Sequence, residues 1–185
     1  MDRQECSLRL IEAEDLPLLH QWRNSERIRQ ASFTDHLIKY EDHIAWYEGL
    51  TKDLNRECLL FEIIHIPIGV VNIRKDPKNN IGYWGFYVGN ESAPRGSGFA
   101  MGVLALKYIF EVRLIRKLCS EVLAKNLPSI KYHAKLGFVQ EAIFRRHVVK
   151  NGEPVDVISY AIFDDTWRTI RERLFRSCFG GTDSE

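Results

Sequence analysis

The chain has 185 residues, of which 45% are hydrophobic and 28% charged, and its formal net charge is +1. This size and balance predict one soluble globular domain with a full core, and they exclude the strongly basic character typical of proteins that bind nucleic acid or anionic membranes. No apolar run approaches the length of a membrane span and the first residues show no signal-peptide core, so we predict neither a membrane segment nor secretion.

The cysteines and histidines show no metal-ligand spacing. The four cysteines are scattered along the chain, and the six histidines form no pair at a helical spacing. Scattered cysteines are typical of reduced, partly buried thiols. We therefore predict a cytoplasmic protein that carries no metal site.

Hydrophobic periodicity and turn residues divide the chain into alternating strands and helices. The predicted elements, in chain order, are strand 7–11, helix 13–22, helix 40–51, strand 58–64, strand 69–74, strand 82–88, a glycine-rich helix ending near 112, strand 117–123, helix 127–136, a hairpin of strands 138–150 and 154–163, and helix 164–178. This order predicts a mixed α/β fold in a single domain over residues 1–178. Residues 179–185 are predicted to be a disordered tail.

The segment from Tyr83 to Met101 carries the strongest functional signal. An aromatic strand ends at Val88, turn residues follow, and Arg95-Gly96-Ser97-Gly98-Phe99-Ala100 opens a helix. Small residues there leave backbone N–H groups uncovered at a helix N-terminus, where the partial positive charge suits a pyrophosphate. The pattern also fits an ordinary glycine-rich helix start. It is neither the dinucleotide fingerprint nor a Walker loop, because their acidic residue and Gly-Lys-Ser/Thr are missing.

A second motif downstream makes the interpretation more specific. Strand 117–123 is followed by Asn126, a short helix and His133-Ala134-Lys135-Leu136-Gly137-Phe138. The order of strand, Arg-x-x-Gly-x-Ala, helix, strand, Asn, helix and Lys-Leu-Gly-Phe resembles the GNAT superfamily of acetyl-CoA-dependent N-acetyltransferases over residues 5–165. This resemblance implies a mainly antiparallel mixed sheet flanked by helices. It also implies that strands 82–88 and 117–123 splay apart and that acetyl-CoA enters the wedge between them.

The resemblance further implies which residues hold acetyl-CoA. In GNAT proteins the strand that matches 86–88 donates an N–H to the thioester oxygen and pairs with pantetheine, and Val88 is the best-matched position. The plain alternative is that this strand supplies only one aromatic face of a sheet. The implied cofactor-binding residues are Phe86, Val88, Arg95, Gly96, Gly98, Ala100 and Asn126.

Acetyl transfer to an amine needs a base for the amine proton and an acid or donor for the leaving thiolate. Glu121 lies in the middle of a strand expected to border the wedge, so we predict that it is the base, acting directly or through a water held by Asn72. The slot where many GNAT enzymes carry a tyrosine holds His133, which can donate a proton near pH 7. Tyr132, one residue earlier, and water are the alternative acids. An exposed or ion-paired Glu121 and a structural His133 are the competing interpretations.

The N-terminal half resembles one group within this superfamily. The segments Gln21-Trp22-Arg23-Asn24-Ser25 and Phe33-Thr34-Asp35-His36 resemble acetyltransferases of pseudaminic acid biosynthesis, which acetylate the 4-amino group of UDP-4-amino-4,6-dideoxy-N-acetyl-β-L-altrosamine. An arginine suits a diphosphate and a tryptophan suits stacking on uracil. The resemblance therefore implies a UDP-amino-sugar acceptor, bound by Trp22, Arg23, Asn24, His36 and Asn72.

Other acceptors and another class of function stay open at this stage. Ribosomal-protein N-terminal acetyltransferases and polyamine acetyltransferases also carry Trp-Arg-Asn-like loops, so either acceptor is an alternative. A non-catalytic acetyl-CoA-binding regulator is the alternative of a different class. The sequence is compatible with a homodimer and leaves the oligomeric state undecided.

Overall fold

Seven strands form one mixed sheet in the computed structural model, which describes residues 2–180. The strands are β1 (Cys6–Leu10), β2 (Arg56–Ile63), β3 (Ile66–Asp76), β4 (Ile81–Val88), β5 (Lys117–Leu123), β6 (Val139–Lys150) and β7 (Glu153–Phe163). They lie in the order β1-β2-β3-β4-β5-β7-β6. Within the described residues, β4 and β5 are the one parallel pair, and every other neighbouring pair is antiparallel. The predicted mixed, mainly antiparallel sheet is confirmed.

Helices cover both faces of the sheet. They are α1 (Leu16–Asn24), α2 (Glu26–Ala31), α3 (Tyr40–Lys52), α4 (Ser97–Lys107), α5 (Leu127–Lys135) and α6 (Asp164–Phe179). One apolar cluster joins α1 and α3 to β2 and β3, and a larger one joins α4 and α6 to the opposite face. Helix α4 is buried at nine of its eleven residues. A helix that is apolar all round belongs in the interior. In the chain, α4 lies between β4 and β5, the two strands that are predicted to splay apart.

The predicted helix 13–22 begins as a 3-10 turn, Ala13–Asp15, and the helix predicted to end near 112 finishes as a π-helical turn, Tyr108–Val112. Two further elements differ from the prediction. Helix α2 was not predicted, because Ile28 is its one buried residue and six residues give too little periodicity to recognise. Strand β3 begins at Ile66 rather than at 69, because Ile64 and His65 make the turn with φ values of 50° and 60°. A two-residue turn with both φ values positive normally carries Asn or Gly, so this Ile-His turn has no sequence signature.

The C-terminal hairpin follows the prediction closely. Asn151 and Gly152 join β6 to β7 with φ values of 52° and 80°, as a two-residue hairpin turn requires. Helix α6 includes Phe179 and ends on Gly180, which has a φ of 72°. The predicted end of this helix at residue 178 therefore falls one residue early, and residues 181–185 of the predicted tail lie outside the described part of the chain. No helix within residues 2–180 is both long and apolar enough to cross a membrane.

Candidate active site

The two central strands of the sheet separate part-way along their length. Strands β4 and β5 run parallel and pair only through residues 81–83 and 117–119 among those described. Beyond these pairs β4 continues to Val88 and β5 to Leu123. The structure therefore confirms the predicted wedge, from which a cleft of about 1530 Å³ extends.

The end of β4 directs backbone N–H groups into this wedge. Gly89 donates its N–H to the carbonyl of Ile68 on β3 at 2.9 Å. Because backbone groups of successive residues point to opposite edges of a strand, the N–H groups of Phe86 and Val88 point away from β3 and toward the gap. The Val88 carbonyl has the same direction, since it accepts a 3.0 Å hydrogen bond from Nη2 of Arg27, outside the sheet. An extended ligand in the gap can thus pair with β4 as a further strand would.

The first turn of α4 presents uncovered backbone beside the same gap. Gly96 is the residue before the helix and has a φ of 91°, a left-handed conformation that favours glycine. Gly98 lines the cleft, and a Cβ built on it would lie 3.3 Å from Cγ2 of Val88. No side chain caps this helix end. Space and unpaired donors therefore coincide where the glycine-rich motif predicted an anion site.

The set of donors at this helix end differs from the prediction at one position. Ala100 donates its N–H to the Gly96 carbonyl at 3.0 Å, as the first hydrogen bond of the helix, so it is not free to bind a phosphate. The N–H groups of Gly96, Gly98 and Phe99 have no acceptor among residues 2–180. The free donors therefore include the N–H of Phe99 and not that of Ala100, because an α-helix leaves only its earliest N–H groups unpaired.

Arg95 and Asn126 flank the wedge on its two sides. Arg95 is exposed directly before Gly96. Asn126 caps α5, since its Oδ1 accepts the N–H of Ser129 at 3.1 Å, and its Nδ2 donates to the carbonyl of Ala31 at 3.5 Å. Asn126 is therefore the N-cap of α5, and its contact with acetyl-CoA stays a prediction.

Glu121 and Asn72 line the cleft with free side chains. Glu121 is exposed in the middle of β5, and no hydrogen bond or ion pair engages its carboxylate within the described residues. Asn72 is half-buried on β3 opposite Gly85, where an added Cβ would meet open space. A ligand can therefore approach both groups. Across residues 2–180, no group of three or more His, Cys, Asp and Glu side chains could hold a metal ion.

His133 lies deep beside the wedge, with both ring nitrogens engaged. Its Nδ1 is 2.7 Å from the Ser129 carbonyl and its Nε2 is 2.8 Å from Oγ of Ser120 on β5. The ring stacks on Tyr160 and is 1% exposed. A neutral imidazole that donates from Nδ1 and accepts at Nε2 has no proton to give to a thiolate. The geometry therefore corrects the predicted acid role and indicates that His133 holds α5 against β5.

Burial gives His133 a testable effect on stability. It lowers the pKa of the imidazole to about 4, whereas an unfolded chain has a pKa of about 6.5. Between these values the unfolded state binds a proton that the folded state does not, so folding stability falls as pH falls from about 6.5 to about 4, by up to about 3 kcal/mol. Urea unfolding at several pH values should show this loss, and His133→Gln should flatten it. An equally steep loss in the variant would contradict the assignment.

Tyr132 reaches the first turn of α4 from the other side of the wedge. Its hydroxyl donates to the Gly98 carbonyl at 2.7 Å, and its ring lies 4.6 Å from that of Phe86. Burial raises the pKa of the phenol far above its usual value, which keeps the hydroxyl protonated. Gly102 makes room for this ring, because a Cβ there would lie 2.2 Å from the hydroxyl oxygen. Tyr132 is therefore a neutral donor in the wedge.

Three of the predicted acceptor-binding side chains lie elsewhere, which corrects those predictions. Trp22 is buried over Gly89, where an added Cβ would lie 1.9 Å from the indole ring. Asn24 accepts the N–H of Ile38 at 2.8 Å and donates to its carbonyl at 2.9 Å, so it fastens the loop after α2. His36 is exposed on that loop and does not line the cleft, although Thr34 and Ile38 on the same loop do. Trp22 therefore has a packing role, and Asn24 has a role in holding the loop after α2.

Arg23, by contrast, lines the cleft together with His43. Arg23 makes one long contact, from Nη2 to the Thr34 carbonyl at 3.5 Å, and its Nη1 is buried without a partner within residues 2–180. His43 is buried, and its Nε2 also lacks a partner there. Buried polar atoms are nearly always hydrogen-bonded. A polar group bound near either atom would therefore supply the hydrogen-bond partner that the atom lacks.

Sequence reasoning missed several basic residues of the cleft. Arg56 on β2 and Arg74 on β3 are directly opposite each other, and the Arg74 guanidinium lies 4.2 Å over the ring of Tyr83. Lys150 reaches the cleft from the C-terminal hairpin. The alternation of β3, which places Arg74 on the same face as Asn72, was a usable signal. No local signal connects Lys150 with this site.

Comparisons with known proteins agree with this geometry. A model of the Acetyltransferase (GNAT) domain matches residues 6–139. The SPbeta prophage-derived uncharacterized N-acetyltransferase YokL of Bacillus subtilis (strain 168) is 34% identical over 89 residues, which are 47% of this chain and 49% of that protein. The chain thus aligns with about half the length of this curated relative.

Solved structures extend the similarity to nearly the whole fold. The spermidine N-acetyltransferase from Vibrio cholerae, solved with CoA and spermine, superposes with a TM-score of 0.84 at 20% identity and covers 90% of this chain and 99% of its own. A chimera of that enzyme with hSSAT gives a TM-score of 0.82 at 18% identity, over 89% and 98% of the two chains. At these identities the similarity shows the fold. Because the domain model matches well over half of its residues, the chain belongs to the GNAT acetyltransferase domain family.

Proposed function

We propose that this protein is an acetyl-CoA-dependent N-acetyltransferase that transfers the acetyl group directly to an amine. The observation that carries the proposal is the early end of β4–β5 pairing beside the uncapped start of α4. One gap thus offers strand-like donors for a pantetheine arm, and the adjoining helix end offers donors for its pyrophosphate. The pantetheine arm and the pyrophosphate of acetyl-CoA can therefore bind side by side, at the edge of β4 and at the start of α4.

In this proposal the pyrophosphate lies against the free N–H groups of Gly96, Gly98 and Phe99, with Arg95 at the phosphates' outer side. Pantetheine pairs with the edge of β4 at Phe86 and Val88. The Val88 N–H points into the gap and donates to the thioester oxygen, where negative charge develops during attack. Asn126, at the opposite wall of the wedge, faces the arm across the gap.

The chemical step removes two protons from the ammonium form of the acceptor and stabilises one leaving group. Glu121, which is free and exposed to the cleft, takes the first proton, directly or through a water beside Asn72. The amine nitrogen then bonds to the thioester carbon, the carbon–sulfur bond breaks, and the thiolate departs with its electron pair. The second proton of the nitrogen passes through water to that thiolate, because the one hydroxyl proton of Tyr132 is already donated to the Gly98 carbonyl.

Charge in the cleft bears on the class of acceptor. Six basic side chains and three acidic ones line it, and one of the acids, Glu57, is paired with Arg113 at 3.1 Å. Arg56 and Arg74 lie directly opposite each other on neighbouring strands, and like charges in that position repel. A bound anion would reduce this repulsion. We therefore propose an amine that carries an anionic group, of which a UDP-linked 4-amino sugar is the specific candidate.

A polyamine is the second candidate, because the spermidine N-acetyltransferases named above share this fold at high TM-scores. Both of these similar structures are polyamine enzymes, so on this point they favour the polyamine. The two acceptors make opposite electrostatic demands. A polycation needs acidic walls, whereas a diphosphate needs the arginines.

Substitution of Arg74 separates these candidates. With acetyl-CoA and a panel of a UDP-linked 4-amino-6-deoxy sugar, spermidine and a ribosomal-protein N-terminal peptide, we expect release of free CoA with the sugar. Arg74→Gln should raise the KM for the sugar by about tenfold or more, the cost of one charge-assisted contact. Turnover of spermidine but not of the sugar, with equal or better activity in Arg74→Gln, would establish the polyamine. CoA binding without acetylation of any amine would favour a non-catalytic regulator.

A further inference from the structure

Helix α2 bridges the two walls of the wedge through its polar contacts. On the β4 side, Nη2 of Arg27 donates to the carbonyls of Val88 and Gly89 at 3.0 and 3.2 Å. Residues 27, 28 and 30–34 line the cleft. The helix and the residues just after it therefore form one wall of the space in which an acceptor would meet the thioester.

The opposite end of α2 is tied to the C-terminal half of the chain. Nζ of Lys150, on the tip of the β6–β7 hairpin, donates to the carbonyl of Arg29 at 2.8 Å and also to that of Ser32. Nδ2 of Asn126 donates to the carbonyl of Ala31 at the longer distance of 3.5 Å. The last carbonyls of a helix have no intrahelical partner, and a cation there is favourable. Lys150 thus adds a charged donor to the end of α2, where Ser32 already donates to the carbonyls of Arg29 and Ile28.

The position of α2 depends on these contacts. A helix of six residues is not stable by itself in water, and Ile28 is its one buried residue. Burial lowers the pKa of the Lys150 ammonium, and the nearby Asp35 carboxylate opposes this without forming a direct ion pair within residues 2–180. A half-buried ammonium whose direct hydrogen bonds go to two carbonyls indicates that these contacts matter to the structure.

We propose that Lys150 is a positioning residue for the acceptor: it fastens α2 across the wedge and thereby fixes the wall that holds the acceptor amine. The inference rests on the proposed acetyl transfer for its kinetic part. The proposed acetyl-CoA site is formed by β4, α4 and Asn126, with which Lys150 makes no hydrogen bond, so acetyl-CoA binding should depend little on Lys150. The acceptor should instead lose affinity when α2 loosens.

Hydrogen exchange and kinetics test this proposal separately. In Lys150→Met, the amides of residues 26–38 should exchange about tenfold faster or more, as expected for two lost hydrogen bonds to a charged group. The KM for the acceptor should rise by a similar factor while the acetyl-CoA Kd changes by less than about twofold. Lys150→Arg keeps the positive charge and the hydrogen-bond donors. It should therefore bring both the exchange rates of residues 26–38 and the KM for the acceptor most of the way back to wild-type values. Lys131→Met, which removes an exposed lysine on α5 outside the cleft, controls for the loss of charge.

The exchange result stands even if no acceptor is acetylated, so failure of the proposed function would not be mistaken for failure of this inference. Wild-type exchange in residues 26–38 of Lys150→Met would overturn it. An equal loss of affinity for acceptor and acetyl-CoA would also overturn it, since that pattern means general loosening. If Lys150→Met does not fold, Lys150→Gln, which keeps a neutral donor, is measured in the same way against the same outcomes.

Discussion

Replacing Gly98 with aspartate should abolish acetyl-CoA binding while leaving the protein folded. Gly98 is the second residue of α4 and its N–H is one of the free donors of the helix end. A carboxylate there is favourable to the helix dipole, so the fold should tolerate it. The same carboxylate occupies the anion site and repels a pyrophosphate. Loss of two or three charge-assisted hydrogen bonds corresponds to an increase in Kd of at least about 100-fold, measurable by calorimetry with CoA.

A matched variant and a neutral variant make this prediction specific. Gly49→Asp introduces the same charge on α3, at a position where an added Cβ meets no atom within 4 Å, and it should bind CoA normally. Gly98→Trp blocks the same space without charge and should also abolish binding. CoA affinity that is unchanged in both Gly98 variants would show that the cofactor does not use the start of α4.

Glu121→Gln should reduce kcat by about 10²–10⁴, the usual contribution of a general base. Glutamine has the same shape but cannot accept the amine proton, so acetyl-CoA and acceptor should still bind. The measurement is kcat and kcat/KM for both proteins, together with the Kd for acetyl-CoA.

The control for this substitution is Glu153→Gln. Glu153 is exposed at the hairpin end of β7, and its carboxylate has no hydrogen bond or ion pair among the residues that the structure describes. Its kinetics should match the wild type. A wild-type kcat in Glu121→Gln would remove Glu121 from the mechanism, and the amine proton would then have to pass to water alone.

Local sequence patterns sufficed where the chemistry is local. A φ of 91° at Gly96 and unpaired N–H groups in the first turn of α4 follow from the glycine-rich motif, and the Asn126 cap follows from a single residue type at a helix start. The wedge itself was implied by resemblance. Its physical origin, the end of β4–β5 pairing after three residues, has no signature in either strand.

The acceptor-binding residues could not be predicted from local patterns, because their side chains are positioned by residues that are distant in the sequence. Trp22 looked available for stacking, yet it packs over Gly89, 67 residues further along the chain. His133 looked like an acid until its ring nitrogens were found facing Ser120 and Ser129. Lys150 contacts carbonyls more than 100 residues before it. Composition and spacing do not encode such partners.

A crystal structure of the protein with acetyl-CoA would show whether the gap between β4 and β5 is the cofactor site. We expect the pyrophosphate to contact the N–H groups of Gly96, Gly98 and Phe99, and pantetheine to run between β4 and β5. We also expect the thioester oxygen to lie within hydrogen-bonding distance of the Val88 N–H, with the acetyl group facing Glu121. Acetyl-CoA bound outside the gap, or with its thioester directed away from Val88 and Glu121, would refute the proposed acetyl transfer.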